Sequence, residues 1–550
     1  SNTADFDGGG CQFSRSEGGV LEDCLFEWNR AGVNGGGIHV FTGNQIIQSC
    51  VLRNGRAGGS GGGLSWSGSG GSLAITGAEI RWNSAPLGGG IQLNSGDSPA
   101  SLGDTTVCDN MSESGAGSVD GVFSDLGGNI VCELGDCDGD GVPDVDAIAA
   151  DPTLDLDQNG RVDICQRTIV VDARGDTAGT VSSIQDGVDL AWNGDTVLIR
   201  PGTYTGTGDA VVTITGRSLQ LVGDGDDAAG EVIIDAESAR RGIDATGGDE
   251  SIRLVGLVVE GGRITVDEEA LQGTIGAGAR LRIDRLRVED CVFRFNDIGS
   301  VLDFESTLVY DHLGGGGLGF FGNRVEMVDS IFDQNVIRFQ AEDASFSNKD
   351  AVAGGGALLV GDVTIESTSF VSSSIHYQDL PDFWNGSARG GGLAVFGDLN
   401  SFDLVVRQCS ILTDHGVDSR LLGGGLYVDG MATISGGVFD GCLIDTSVDI
   451  TYVSGGGSIA VAGALVMTNV NIQNSTFWSR DSILAARLRG AGVLACGGAN
   501  LVGCEIIGCR MNIGHGGAAY LAGGEIRVFD SAFEGRVGDI QDNEWPEPTW

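Results

Sequence analysis

The chain carries a single lysine, Lys349, five histidines and eight prolines among its 550 residues. With 31 basic residues against 76 acidic ones, its formal charge of −45 leaves no basic footprint for nucleic acid. Anionic membranes and acidic polysaccharides are disfavoured as direct partners as well, unless divalent cations bridge them. No run of about 18 or more apolar residues exists, so membrane insertion by a helix is not expected. The opening SNTADFDGGG lacks the basic and apolar regions of a signal peptide, which leaves a removed leader or an internal piece of a longer chain. The 13 cysteines form no CxxC pair and no Cys/His zinc spacing, and their odd number leaves at least one unpaired within the chain. Nowhere in the repeats does a helical period run long enough for a βαβ crossover.

Glycine, at 95 residues, is what the chain has in excess. Collagen is excluded by the scarcity of proline, and bulk disorder by the 41% of hydrophobic residues. Glycine triplets begin at Gly8, Gly35, Gly61 and Gly88, at spacings of 27, 26 and 27 residues. The series resumes at Gly314, Gly354, Gly390, Gly423 and Gly455, spaced 32 to 40 apart, and again in GHGGAAYL from Gly514. Between the glycines a small residue precedes phenylalanine by two: Cys24 and Phe26, Cys291 and Phe293, Ser330 and Phe332, Ser475 and Phe477. That alternation places both side chains on one face of a short strand. Asn29, Asn54, Asn83, Asn296 and Asn335 follow, where a turn calls for a left-handed residue. A period of this length cannot bury its own apolar face, but stacking like coils ~4.8 Å apart buries a continuous core. The expected fold is all-β, a parallel solenoid.

These coils resemble those of right-handed parallel β-helix proteins of the pectin-lyase-like class, including large bacterial surface proteins. The segment Arg167–Gly206, RTIVVDARGDTAGTVSSIQDGVDLAWNGDTVLIRPGTYTG, is similar to the opening of such domains. There Ser182 or Ser183 is placed to N-cap a short helix with Ile184, Val188 and Trp192 on one face, covering the open end of the first coil. The resemblance covers residues 1–133 and 167–550 and implies a right-handed β-helix in two segments: 1–133 as the closing half of one, 134–166 as an acidic linker, and 167–550 as the capped start of the next. Residue 1 falls inside a coil and residue 550 inside a loop, DIQDNEWPEPTW. Placing the end before the beginning gives a glycine interval, Gly516 to Gly8, of 42 residues, close to the 39 between Gly315 and Gly354. The expectation is head-to-tail stacking of one copy on another, which grows into a filament because the contact does not close. Truncation of a longer tandem array is the alternative.

The linker carries two matching loops. DCDGDGVPD places Asp136, Asp138, Asp140 and Asp144 at positions 1, 3, 5 and 9, with Val142 offering a carbonyl at position 7. DLDQNGRVD repeats this with Asp155, Asp157, Asn159, Arg161 and Asp163. Alternate oxygens around a glycine turn suit calcium, which takes six to eight oxygen ligands. Ala147 and Gln166 stand where an EF-hand has glutamate, so the loops are similar to thrombospondin type 3 or dockerin-like calcium repeats. A solvated acidic hinge is the plain alternative.

Cys24, Cys50, Cys291, Cys409, Cys442 and Cys504 occupy the small inward position or one near it and read as core residues. Cys108 with Cys132, and Cys137 with Cys165, are disulfide candidates flanking the linker. No catalytic set emerges. The GHG at Gly514–Gly516 puts His515 in a glycine-ladder position without companion motifs, Asp224–Asp227 reads as a loop, and acid–base chemistry would rest on carboxylates. The functional expectation is an extracellular structural protein of a bacterial surface or appendage, stiffened by calcium and binding further copies of itself. A glycan-binding adhesin using Trp28, Trp66, Trp82, Trp384, Trp478, Trp545 or Trp550 is the second reading, and a polysaccharide lyase or hydrolase the third.

Overall fold

The computed structural model describes residues 2–14, 18–27, 29–67, 71–93, 100–108, 110–112, 118–131, 144–151, 166–174, 180–191, 194–225, 230–247, 250–266, 276–302, 313–341, 351–378, 387–413, 420–446, 454–479, 488–511 and 518–536. Among these residues, apart from two helices, Asp144–Ala150 and Ile184–Leu190, the regular elements are β-strands of two to eleven residues in parallel sheets. No helix among the described residues is long and apolar enough to cross a membrane. The chain divides into two compact units, Ser1–Gln166 and Arg167–Trp550.

In the first unit the chain returns to the same sheet once per glycine period. Cys11–Phe13, Ile38–Val40, Leu64–Trp66, Ile91–Leu93 and Val119–Asp120 form one five-stranded parallel sheet, and three further five-stranded sheets repeat the arrangement. Ile38, Leu64 and Ile91 are in register and wholly buried. Alternation therefore gives each coil an apolar inner face, completed only by the coils above and below, an arrangement compatible with a β-helix or solenoid.

The second unit has one 36-stranded sheet and a six-stranded sheet formed by Leu313–Gly314, Ala351–Ala353, Ser387–Arg389, Arg420–Leu422, Ser454–Gly455 and Leu488–Arg489. The helix Ile184–Leu190 lies against its first strands, with Ile184 and Val188 buried. Ser183 is the N-cap, its hydroxyl accepting from the Asp186 amide at 3.0 Å. At the other end Arg217 donates to the carbonyls of Val188 (2.9 Å) and Ala191 (3.1 Å), and Arg167 to that of Leu190 (3.0 Å). Cations at a helix C-terminus answer both its unpaired carbonyls and its dipole. Arg167 is held in turn by the buried Asp195 at 2.7 Å. Gly187 permits the close approach: a Cβ there would stand 2.7 Å from Val171 Cγ2 and 3.0 Å from Val197 Cγ1.

The turns correct one expectation. Asn54 is left-handed, φ 57°, but Asn83, Asn296 and Asn335 are not. The left-handed residue is the one before each: Trp82, Phe295 and Gln334, with φ of 56°, 58° and 52°. That bend swings the following side chain inward, and Asn83, Asn296 and Asn335 are fully buried. There each amide satisfies backbone groups that the corner leaves unpaired. The Asn335 Oδ1 accepts from the Asn296 backbone amide (3.2 Å) and from Asn296 Nδ2 (2.9 Å), while Asn335 Nδ2 donates to the Phe293 carbonyl at 2.8 Å. Asn83 and Asn110 repeat the set in the first unit.

The residue two after the left-handed glycine of each glycine run (Gly61, Gly315, Gly390, Gly456) lies over this ladder. A Cβ on Gly317 would meet Asn335 Nδ2 at 3.0 Å, one on Gly63 would meet Asn83 Nδ2 at 3.0 Å, and one on Gly392 would meet Cys409 Sγ at 2.8 Å. Where serine stands instead, at Ser458, its hydroxyl bonds that of Ser475. Phe293, Phe332 and Phe370 form an inner stack with centroid separations of 4.9 and 4.7 Å. Phe477 belongs to a different column, beside Ile444, although its sequence motif matches theirs.

Candidate functional site

Nine of the ten residues expected to hold calcium, Asp136, Asp138, Asp140, Val142, Asp155, Asp157, Asn159, Arg161 and Asp163, lie outside the described residues. Asp144 opens the helix Asp144–Ala150. Among the described residues no group of three or more His, Cys, Asp or Glu side chains is arranged to hold a metal. Calcium therefore stays a reading of the loop sequences.

His515 also lies outside the described residues, as do Asp226 and Asp227, while Asp224 pairs with Arg200. Of the tryptophans considered as a glycan platform, Trp66 is fully buried on an inner face, in register with Val40 and Leu93, and is unavailable. Trp82 occupies a left-handed corner and Trp478 is 49% exposed. Trp28, Trp384, Trp545 and Trp550 lie outside the described residues.

Cys50, Cys291, Cys409, Cys442 and Cys504 are buried, and Cys24 is half-buried in the first coil. The Cys291 thiol donates to the Glu289 carbonyl at 3.2 Å and Cys50 to that of Gln48 at 3.3 Å, as Ser330 donates to Val328 at 2.8 Å. Cysteine thus stands in for serine and threonine. Burial pushes the Cys291 and Cys442 thiols up to about 12, which removes them as nucleophiles. Cys108 is disulfide-bonded; with nine described cysteines free, its candidates are Cys132, Cys137 and Cys165, all outside the described residues.

The remaining candidate is a pair of sheet edges. In the second unit the last described strands are Ala519–Leu521, Ile526–Phe529 and Ala532–Arg536. Ile526 and Val528 continue the inner columns of Ala499 and Leu501, yet are 37% and 42% exposed because no described strand covers them. In the first unit Cys11–Phe13, Gly19–Glu22 and Leu25–Glu27 form the opposite kind of edge. Their inner residues Phe13, Leu21 and Phe26 are only partly buried, whereas Val40, Ile47 and Leu52, next in register, are fully buried.

These edges match over two of their three strands and the corner that follows them, while the third pair differs, Ala532–Arg536 having five residues and Leu25–Glu27 three. Three-residue Ala519–Leu521 corresponds to Cys11–Phe13, and four-residue Ile526–Phe529 to Gly19–Glu22. Left-handed Asp530 (φ 48°) corresponds to Asp23 (φ 53°). The hydroxyl of Ser531 donates to the Phe529 carbonyl at 2.8 Å, as the Cys24 thiol does to that of Glu22 at 3.3 Å. Sequence reading found the glycine interval but not these side chains; the signal was present in FDSAFE beside EDCLFE. Near the first-unit edge, His39 is buried with Asp7 at 3.9 Å. Burial lowers its pKa against the opposing pull of Asp7, which favours a neutral ring.

No family model, no curated protein and no solved structure matches the chain.

Proposed function

We propose that the chain is a right-handed parallel β-helix in two segments and serves as a structural subunit outside a bacterial cell. The edge at Ile526–Arg536 stacks on the edge at Cys11–Glu27 of another copy, and the 134–166 linker binds calcium. The match of the two edges over two strands, the Asp530 and Asp23 corner and the side chains of FDSAFE and EDCLFE carries this reading. An open edge presents a row of backbone donors and acceptors, and a coil with strands and a corner at corresponding positions satisfies it at ~4.8 Å. Stacking would cover Ile526, Val528, Leu21 and Phe26, the inner residues each edge leaves exposed or half-covered. Two different surfaces meet in such a contact, so copies add without closing. The formal charge of −45 opposes side-by-side association. A disulfide at Cys108 fits an oxidising compartment.

The test places a lysine on one edge at a time. Wild-type protein is expected to form polymers that lengthen with concentration, seen by light scattering and negative stain. Leu21→Lys and Val528→Lys should each stop growth while preserving the circular dichroism spectrum. An equimolar mixture of the two should stop at dimers, because only one pair of intact edges is present. Wild-type protein that stays monomeric, or polymers indifferent to Val528→Lys, would sink the reading.

A further inference from the structure

Three thiols gather at the open edge of the first unit: Cys11 and Cys24 on its first coil and Cys50 on its second. Cys24 and Cys50 hold the same place on neighbouring coils. Leu25 pairs in register with Val51, and the Val51 amide donates to the Cys24 carbonyl at 2.9 Å. A left-handed residue precedes each cysteine, Asp23 (φ 53°) and Ser49 (φ 52°), so both side chains enter the core in the same direction. The Cys24 side chain is within hydrogen-bonding reach of the Cys50 thiol. Cys11 is close enough to Cys24 to feel its charge.

Neighbouring coils stand ~4.8 Å apart, inside the Cα separations of about 4.4–6.8 Å that a disulfide spans. The bond also asks for Cβ atoms about 3.5–4.5 Å apart, so one coil has to move slightly toward the other. The first coil is free to do so. Its strands Gly19–Glu22 and Leu25–Glu27 end their sheets, with no described strand beyond them, and Cys24 is half-buried. Cys409 and Cys442 make the same juxtaposition, the Leu443 amide donating to the Cys409 carbonyl at 3.0 Å. Their strands, Ser410–Thr413 and Leu443–Thr446, lie between Ser374–Gln378 and Thr476–Ser479, and both thiols are fully buried. Close packing on both sides holds that pair at the coil spacing and out of reach of an oxidant.

We propose that Cys24 and Cys50 form a disulfide that ties the first coil to the second, made by exchange with a small-molecule disulfide. The Cys24 thiolate attacks one sulfur of that disulfide and releases a thiol. The Cys50 thiolate then attacks Cys24 Sγ and releases the second thiol, and the two cysteine protons end on the two departing sulfurs. Cys24, at the edge, is the one an oxidant can reach; Cys50 needs only to reach Cys24. The disulfide at Cys108 calls for the same chemistry. The bond restrains fraying of a coil that has a neighbour on one side alone. A copy stacked on this edge would cover Cys24, so in the assembly proposed above the bond forms first. The bond itself does not depend on that assembly.

Peptide mapping tests it. The reduced 550-residue chain is incubated with glutathione disulfide, alkylated in denaturant and digested with trypsin without reduction. Cleavage at Arg15, Arg30 and Arg53 puts Cys11, Cys24 and Cys50 on three peptides, 1–15, 16–30 and 31–53. The expected product joins 16–30 to 31–53, while Cys409 and Cys442 are recovered as alkylated thiols. Hydrogen exchange in Gly19–Glu22 should slow about tenfold or more on oxidation, with Ser410–Thr413 unchanged. Cys24→Ser and Cys50→Ser should each abolish the slowing and Cys11→Ser keep it; serine already fills the equivalent place at Ser330 and Ser531. A link between 1–15 and 16–30, glutathione left on Cys24 with no link to 31–53, equal linkage of Cys409 to Cys442, or unchanged exchange in the oxidised chain would overturn the assignment.

Discussion

Asn335 answers three backbone or amide groups from one buried side chain: the Asn296 amide, Asn296 Nδ2 and the Phe293 carbonyl. Truncation takes a partner from all three: Asn296 Nδ2 keeps its bond to the Val259 carbonyl at 3.1 Å, while the Asn296 amide and the Phe293 carbonyl lose theirs inside the core, where each unpaired polar group costs about 1–3 kcal/mol. Asn335→Ala is therefore expected to destabilise the second unit by about 3 kcal/mol or more, read by urea unfolding. Asn335→Ser, which keeps a hydroxyl like that of Ser373 in a neighbouring coil, should lose less. At this scale the sequence showed which residue types recur but not which one turns the chain. An asparagine after a strand suits a left-handed corner, and only the backbone places that bend one residue earlier, at Gln334. The Cys and Ser positions were easier, because small donors two residues before an apolar side chain have one inward place to go.

The helix Ile184–Leu190 shows how one element seals a stack. Its N-cap, Ser183, and its buried residues, Ile184 and Val188, were readable from spacing alone. Its C-terminal partners were not: Arg167 and Arg217 lie on neighbouring strands and reach its carbonyls through tertiary packing. Gly187 was equally silent, since a glycine inside a helix signals only weakness unless the surface beneath it is known. Its missing Cβ lets the helix lie within van der Waals contact of Val171 and Val197. Gly187→Val should lift the helix from these strands and destabilise them by about 1–3 kcal/mol, the range of overpacked cores. Hydrogen exchange at Thr168–Val171 is the measurement, with protection lost there first and kept at strands distant from the helix. Uniform loss across the second unit, or none, would contradict this.

Across the whole molecule, the first of the two units ends in an acidic stretch, 134–166, whose loop sequences match a calcium pattern. If calcium binds there, chelation should raise the rate of limited proteolysis within 134–166 and leave cleavage elsewhere unchanged. The double variant Asp138→Asn with Asp157→Asn should cleave at the chelated rate in the presence of calcium. Equal rates with and without chelator would argue for a plain acidic hinge. The periodicity that revealed the coils is a whole-chain property, legible because each coil repeats the same inner columns. The edge match was less legible: FDSAFE repeats EDCLFE, but only the structure shows that the inner residues around both are left uncovered. The residue two after the left-handed glycine and the ladder residue beneath it belong to one coil: Gly317 with Asn335, Gly392 with Cys409, Ser458 with Ser475. Duplication of an entire coil copies both partners together and introduces no clash. A crossover falling between them would join a glycine position to a side chain fitted elsewhere, so lineages of such chains should lengthen by whole coils and recombine at the corners outside that pair.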